Sequence, residues 1–241
     1  KNKIIAARDP FGEKPLYVYV KNKNFILTSD INSIKTLMPN LDLNKKAIDY
    51  FIRLSYIPSP LSIFKDVYKV KPGQCLMISG DEYSFEQIKK FQFFQPTEFI
   101  NYKKDITENV IEEKLVESVK SQMITDVPLG TFLSGGIDSS LITAIASGFN
   151  PKITTFTMGF KDNLYDESKH AKQISSELGL KNYTMIVEPK DLLNVIGDIS
   201  KVYSEPFADS SQIPTYLLSK FSSKEIKVAL TGDGGDEFFG G

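Results

Sequence analysis

The chain has 241 residues, with 29 lysines and arginines against 30 aspartates and glutamates and a formal net charge of −1 at pH 7. This balance gives no electrostatic case for nucleic acid or an anionic membrane as a partner. One cysteine excludes an internal disulfide and suits a reducing compartment, so we expect a cytoplasmic location. No apolar run reaches membrane-spanning length and no signal peptide is visible. Since the sequence starts at Lys1 and stops at Gly241 within a Gly-rich motif, we expect an internal fragment of a longer protein.

The first part of the sequence, up to about Phe94, predicts a mixed α+β layer. Strands are predicted at residues 4–7, 16–20, 25–28, 67–70 and 75–78, and a helix at residues 44–54. The second and third strands are predicted to form one hairpin. The fourth and fifth are predicted to form another, through Pro72 and Gly73.

The rest of the sequence predicts a regular α/β domain. An amphipathic helix is predicted at residues 106–125, then strands at 129–133, 153–159, 183–187 and 226–231, with helices at 139–148, 167–178, 189–203 and 212–221. Such alternation favours a parallel sheet with helices on both faces. The expected organisation is therefore a first domain over residues 1–95, a linker over 96–106 and a second domain over 107–241.

Residues 129–140 read Leu-Gly-Thr-Phe-Leu-Ser-Gly-Gly-Ile-Asp-Ser-Ser: an apolar strand, a Ser-Gly-Gly turn, and a helix opened by Asp138 and Ser139. Gly135 and Gly136 allow close backbone approach to a ligand, and the N–H groups of the turn and helix start favour an anion. No Gly-Lys-Ser/Thr of a P-loop follows these glycines. Since a carboxylate repels phosphate unless a cation lies between them, Asp138 is predicted to bind Mg²⁺, directly or through water.

A second Gly-rich stretch, Thr-Gly-Asp-Gly-Gly-Asp-Glu at residues 231–237, follows the last predicted strand. Ligands of doubly wound sheets lie beyond the carboxyl ends of strands, where the strand order reverses. If this strand is a neighbour of the strand at 129–133, Asp138 and Asp236 face one phosphate-bound Mg²⁺. The alternative is an ordinary Asp-Gly surface turn.

The heptad Ser-Gly-Gly-Ile-Asp-Ser-Ser at 134–140 closely resembles the pyrophosphate loop of the N-type ATP pyrophosphatases. These enzymes cleave ATP between its α and β phosphates and hold the pyrophosphate in this loop. Residues 231–241 resemble the Ser-Gly-x-Gly-x-Asp-Glu-x-Phe-Gly-Gly segment that marks the asparagine synthetases among them. The resemblance implies a parallel-sheet ATP-pyrophosphatase domain of the adenine nucleotide α-hydrolase-like class, with ATP and Mg²⁺ as cofactors.

The resemblance also implies roles for single residues. Those implied to bind ATP or its pyrophosphate are Leu133, Ser134, Gly135, Gly136, Asp138, Ser139, Ser140, Met158, Thr231, Gly232 and Asp236. Within this set, the backbones of Leu133, Met158, Thr231 and Gly232 would hold the adenosine part, and Asp138 and Asp236 would hold the metal. Asp233 would be catalytic, near the activated carboxylate, although several family members have Glu there. Asn182 stands where many relatives have His.

The first domain carries a second resemblance. Residues 6–17 are similar to the Ala-Arg-Asp-x-x-Gly-x-Lys-Pro-Leu-Tyr segment of class II glutamine amidotransferase domains. Those α+β domains hydrolyse glutamine with an N-terminal cysteine, which is a nucleophile whose own α-amine is the base. Because Lys1 stands first here, we expect the glutaminase centre to lie outside this chain. Cys75, inside an apolar strand, is predicted to be structural, and His170, on a polar helix face, to be exposed.

Two further stretches resemble family segments. Residues 165–168 are predicted to form a helix cap with acids that suit the helix dipole. Residues 205–211 either border the acceptor pocket or form only the turn that starts a helix.

These resemblances lead us to expect a central fragment of a glutamine-hydrolysing asparagine synthetase. The implied reaction adenylates aspartate, releases pyrophosphate, and lets ammonia from glutamine displace AMP. An alternative is an amidotransferase of the same architecture acting on a uronic acid in surface-polysaccharide synthesis, and another is a nucleotide-binding scaffold without catalysis. The expected partners are small molecules, and neither nucleic acid nor a membrane is expected. Whether the protein forms a homodimer is left open by the sequence.

Overall fold

A computed structural model describes residues 2–22, 24–80, 85–94, 107–161 and 166–240 of the chain. The chain divides into two compact units, Lys1–Lys103 with Gly197–Asp209, and Lys104–Ile196 with Ser210–Gly241. The predicted linker at 96–106 and Tyr165 of the predicted cap lie outside the described residues. In the described part of the chain, no helix is long and apolar enough to cross a membrane.

The first unit contains two antiparallel three-stranded sheets. Its elements in chain order are β1 (Asn2–Ala7), β2 (Tyr17–Lys21), β3 (Asn24–Thr28), α1 (Ile31–Leu37), α2 (Lys45–Leu54), β4 (Val67–Lys69), β5 (Gln74–Gly80) and β6 (Phe85–Gln92). One sheet has the order β1-β5-β6 and the other β3-β2-β4. The predicted hairpin of β2 and β3 is confirmed, with Asn22 of its turn at φ +52°.

The predicted hairpin through Pro72 and Gly73 is wrong. β4 pairs with β2, whereas β5 pairs with β1 and β6, so the two strands belong to different sheets. Gly73 has φ +64°, and its N–H donates to the carbonyl of Asp9 (2.9 Å) instead of closing a hairpin. The Pro-Gly turn therefore carries the chain from one sheet to the other.

Helix α1 was not predicted from the sequence. Asp30 caps it by accepting a hydrogen bond from Asn32 N (2.9 Å). Ile31 and Ile34, both 0% exposed, pack into a core with Tyr17 and other residues. Three apolar residues in a helix of seven, of which Leu37 is exposed, are too few to show a helical period.

The second unit is the predicted α/β domain. Its elements are α3 (Glu108–Gln122), β7 (Leu129–Phe132), α4 (Ile137–Phe149), β8 (Thr154–Phe160), α5 (Ser168–Glu177), β9 (Asn182–Val187), α6 (Pro189–Val202), α7 (Gln212–Ser222), β10 (Val228–Leu230) and α8 (Gly235–Phe239). Its four strands are parallel in the order β10-β7-β8-β9, which confirms the fold class. Only α8 was not predicted, because its first turn lies in the Gly-rich stretch.

This sheet order positions the candidate site. Apolar residues pack in two clusters, one around Ile153 and Leu230 and the other around Val187 and Leu217. Since β7 and β10 are parallel neighbours, their carboxyl ends lie at the same edge of the sheet. The two Gly-rich stretches follow those ends, so the condition for a shared site, that the two strands are neighbours, is met.

Candidate functional site

The first Gly-rich loop connects β7 to α4, and Gly136 is the N-cap residue of that helix. Gly135 has φ +96°, a conformation that residues with side chains rarely adopt. A Cβ atom on Gly135 would lie 2.9 Å from His170 Cβ and 3.0 Å from the backbone nitrogen of Ala171. Glycine is therefore required here both for its dihedrals and for contact with α5.

Serine hydroxyls hold this loop in shape. Ser139 Oγ accepts a hydrogen bond from Ser134 N (3.2 Å), and Ser134 Oγ accepts one from Gly136 N (3.2 Å). Ser140 Oγ donates to the carbonyl of Gly136 (2.6 Å). The amides of Ser134 and Gly136 are thus already hydrogen-bonded within the loop, so fewer loop amides are available for the predicted anion. The amides of residues 137–139, in the first turn of α4, have no partner within the helix and can serve a ligand.

The second Gly-rich loop packs directly on Asp138. A Cβ atom on Gly232 would lie 2.7 Å from Ser139 N and 2.9 Å from Asp138 Cβ. A Cβ atom on Gly235 would overlap the Asp138 carboxyl group. The structure therefore brings the two predicted loops together, and two of the glycines are needed for the close approach.

The candidate metal ligands differ in exposure. Asp138 is half-buried between the loops, and Asp236 is exposed in the first turn of α8. Among the described residues, no group of three or more His, Cys, Asp or Glu side chains could hold a metal ion by itself. Carboxylate oxygens suit Mg²⁺, which usually keeps several waters and takes substrate phosphates as ligands. A metal ion bound by Asp138 and Asp236 would therefore need water or phosphate oxygens to complete its coordination.

The carboxyl group of Asp233 is oriented by its own loop. Its Oδ2 accepts a hydrogen bond from Thr231 Oγ1 (2.9 Å), and its N–H donates to the same hydroxyl (3.4 Å). Asp233 itself is exposed. The carboxylate is therefore presented at the same edge of the sheet as the first loop.

The predicted adenosine contacts lie where the strands end. The N–H of Leu133 donates to the carbonyl of Phe156 (2.9 Å), and its carbonyl accepts from the hydroxyl of Thr157 (2.9 Å). Alternate residues of a parallel strand direct their backbone groups to the same side. The backbone of Met158 thus faces the β7 side of the sheet. It lies beyond the end of β7, whose last residue, Phe132, pairs with Phe156.

The helix cap predicted at 165–168 is confirmed only in part, because Glu167 is the N-cap residue of α5 and makes no side-chain cap hydrogen bond. Asp166, one residue earlier, instead binds the first amide of the helix. Its Oδ1 accepts hydrogen bonds from Ser168 N (3.1 Å) and Phe160 N (3.3 Å), which ties the start of α5 to the end of β8. Hydrogen bonds from the side chain and then the backbone of Ser168 lower the pKa of the Asp166 carboxyl, although desolvation opposes them. His170 is exposed, as predicted.

Sequence reasoning missed the environment of Glu205, which belongs to the first unit. Its side chain is 9% exposed, forms an ion pair with Lys69 (2.6 Å) and accepts hydrogen bonds from Ile63 N (2.8 Å) and Tyr17 OH (3.2 Å). Burial and then the charge of Glu205 raise the pKa of Tyr17. No sequence signal indicates this pair, since 136 positions separate its members in the printed sequence (205 − 69). Cys75 is half-buried in β5, consistent with a structural thiol.

A cavity of about 660 Å³ lies elsewhere in the second unit. Pro128, Leu129 and Thr154 line it, and they lie at the amino ends of β7 and β8. The Gly-rich loops lie at the opposite, carboxyl edge of the sheet. This cavity is therefore separate from the candidate site.

Comparison with known proteins yields two family matches. The model of the asparagine synthase family matches residues 110–241, and that of the glutamine amidotransferase domain matches residues 1–91. The asparagine synthetase [glutamine-hydrolyzing] 1 of Bacillus subtilis is 34% identical over 239 residues, which cover 99% of the chain and 37% of that protein. The putative asparagine synthetase [glutamine-hydrolyzing] 2 of Methanocaldococcus jannaschii is 35% identical over 248 residues, which cover 100% of the chain and 47% of that protein.

The chain thus spans less than half the length of these two relatives. Among solved structures, the NMN synthetase of Francisella tularensis is similar with a TM-score of 0.42 and 18% sequence identity, covering 56% of this chain and 58% of that one.

Proposed function

This chain belongs to the asparagine synthase family, and we propose on that premise that the whole protein amidates a carboxylate at the expense of ATP. A carboxylate oxygen of the substrate attacks the α-phosphorus of ATP, and the bond to pyrophosphate breaks. Ammonia then attacks the acyl carbon, loses a proton and displaces AMP, which leaves an amide. The substrate is aspartate, the product is asparagine, and hydrolysis of glutamine supplies the ammonia.

The observation that carries this proposal is the packing of two Gly-rich loops on Asp138 at the ends of adjacent parallel strands. The loop of residues 134–140 binds the pyrophosphate part of ATP through its serines, glycines and first-turn amides. Asp138 and Asp236 would hold Mg²⁺, which when bound would neutralise the charge that develops on the departing pyrophosphate.

The adenosine part lies along the ends of the strands. The backbones of Leu133, Met158, Thr231 and Gly232 hold it there. With adenosine and pyrophosphate held at opposite ends, the α-phosphorus is the electrophile that remains accessible. The loop 134–140 contains no lysine of the kind that contacts the γ-phosphate in P-loop enzymes, which favours cleavage at the α-phosphorus.

Asp233 is the proposed catalytic residue for the second step. As ammonia forms the new C–N bond, its nitrogen becomes positively charged and has to lose a proton. The Asp233 carboxylate, held by the Thr231 hydroxyl, accepts that proton as a general base. Its side chain is one methylene shorter than the Glu of several relatives, so the acceptor has to approach this loop more closely.

The first unit contributes to the supply of ammonia. Residues 1–95 are the C-terminal part of a glutamine amidotransferase domain, a boundary supported by the family match over residues 1–91. Residues 96–106 link it to the synthetase domain, which begins near residue 107. The nucleophilic cysteine of such a domain is not Cys75, because Cys75 lies inside β5.

Product analysis of the intact protein tests the proposed function. With ATP, Mg²⁺ and an ammonia source, we expect AMP and asparagine to form in equal amounts when aspartate is supplied. Asp138→Asn should abolish most of the formation of AMP and asparagine. Asp126→Asn, a change at an exposed position, should have no effect on it. AMP formation with a uronic acid alone would overturn the choice of acceptor. No AMP with any carboxylate would leave only a nucleotide-binding scaffold.

A further inference from the structure

The hydrogen-bond ladder between β7 and β8 ends in an unusual way. Leu133 N donates to Phe156 O (2.9 Å), and in a regular parallel ladder the next bond would join Met158 N to Leu133 O. Among the residues that the structure describes, no hydrogen bond joins these two atoms. The carbonyl of Leu133 accepts instead from the hydroxyl of Thr157 (2.9 Å). A side chain thus replaces the last rung of the ladder.

Asn182 determines which way the Thr157 hydroxyl points. Its Nδ2 donates to Thr155 Oγ1 (2.7 Å) and to Thr157 Oγ1 (2.8 Å). Both threonines give their single proton to a backbone carbonyl, that of Lys181 for Thr155 (3.3 Å) and that of Leu133 for Thr157. Each hydroxyl oxygen can therefore only accept a further hydrogen bond. The –NH₂ group of Asn182 donates one to each of them.

The two threonines of this network are buried, and their hydroxyls are paired. Thr155 is 0% and Thr157 is 1% exposed, so water is excluded from their hydroxyls. The remaining oxygen of Asn182 accepts from Thr184 Oγ1 (2.7 Å). A histidine here could not donate to both hydroxyls from one nitrogen, because each ring nitrogen carries at most one proton. The two threonine hydroxyls thus explain why asparagine suits position 182 of this chain.

We propose that Thr157 and Asn182 are positioning residues that end the ladder one bond early and so leave the Met158 N–H for a ring nitrogen of the adenine of ATP. The inference rests on the proposed function, in which the Met158 backbone contacts adenosine. The Leu133 carbonyl accepts from the Thr157 hydroxyl and not from the Met158 amide, so in this geometry it does not compete with the ligand for that amide. A purine ring nitrogen with a free lone pair is the matching acceptor.

Replacing Thr157 by valine tests this device, since valine keeps the branched shape and lacks the hydroxyl. In Thr157→Val the Leu133 carbonyl is free to accept from Met158 N. We expect hydrogen exchange of the Met158 amide to slow and ATP to bind about tenfold more weakly, the scale of one hydrogen bond. Binding of Mg²⁺-pyrophosphate should stay unchanged, because it does not involve the adenine end. Thr157→Ser, which keeps the hydroxyl, should restore both properties.

Two further variants of the intact protein complete the test. Thr143→Val removes another buried hydroxyl of the same unit, bonded to Thr131 (3.0 Å), and should change neither the exchange of the Met158 amide nor the ratio of ATP to pyrophosphate affinity. Asn182→Ala should shift that ratio in the same direction as Thr157→Val, by less.

Wild-type exchange and an unchanged affinity ratio in both Thr157→Val and Asn182→Ala would overturn the inference. If the wild-type protein binds pyrophosphate but not ATP, the proposed function fails instead, and exchange of the Met158 amide still tests the ladder.

Discussion

Gly235→Ala is the substitution that most directly separates function from folding in this site. The new Cβ would overlap the Asp138 carboxyl group, which is a short side chain that has to rotate away. If Asp138 is a metal and phosphate contact, its displacement should cost about 3 kcal/mol of transition-state stabilisation, or roughly a hundredfold in kcat. The free energy of unfolding should change by less than about 1 kcal/mol, because alanine is the better helix former.

The assay combines initial rates of AMP formation, at several Mg²⁺ concentrations, with chemical denaturation of the same samples. Gly148→Ala is the matched control, since Gly148 lies in α4 and a Cβ there meets nothing within 4 Å. It should leave the rate unchanged and raise stability by about 0.5–1 kcal/mol. An unchanged rate and Mg²⁺ dependence in Gly235→Ala would show that the position of the Asp138 carboxyl is irrelevant to the reaction.

Three other predictions concern single carboxylates. Asp138→Asn keeps the shape but removes the charge, so turnover should fall by an amount equal to about 2–4 kcal/mol, and unchanged turnover and Mg²⁺ dependence would refute the assignment. Lys69→Met leaves the Glu205 carboxylate, which is 9% exposed, without its cation. Denaturation should show that the free energy of unfolding falls by about 3–5 kcal/mol. The double variant with Glu205→Gln should regain part of this loss. Burial raises the pKa of Asp9, but hydrogen bonds from backbone amides of the next turn more than offset it, so the pKa is lowered. The ionised form therefore stabilises the fold above about pH 4, this stability is lost as the pH falls through the lowered pKa, and thermal melts of Asp9→Asn should lack that acid-range loss.

The α/β domain was predictable because its strands are short apolar runs separated by helices with clear periods. What the sequence could not show is long-range pairing. The runs at 67–70 and 75–78 look like a hairpin, and only their pairing with strands distant in the sequence shows that they belong to two sheets. Helix α1 depends on two buried isoleucines, which is too weak a pattern to detect.

The candidate site was predicted as two loops but not as a packed arrangement. Glycines at 135, 232 and 235 were visible, whereas their contacts with α5 and with Asp138 appear only once the strands are adjacent. The role of Thr157 was missed. Threonine suits a strand, so nothing in a run of Thr and apolar residues marks a hydroxyl that replaces a ladder bond. Asn182 stood out only as a departure from its relatives.

The central claim is that the carboxylate is activated at the α-phosphorus of ATP, and an isotope experiment tests it most directly. The intact protein is supplied with ATP, Mg²⁺, ammonia and aspartate labelled with ¹⁸O in its side-chain carboxylate, and the products are read by mass spectrometry. Transfer through an acyl-adenylate places one labelled oxygen in AMP and leaves the pyrophosphate unlabelled. Label in orthophosphate, together with ADP, would show activation at the γ-phosphorus and contradict the account.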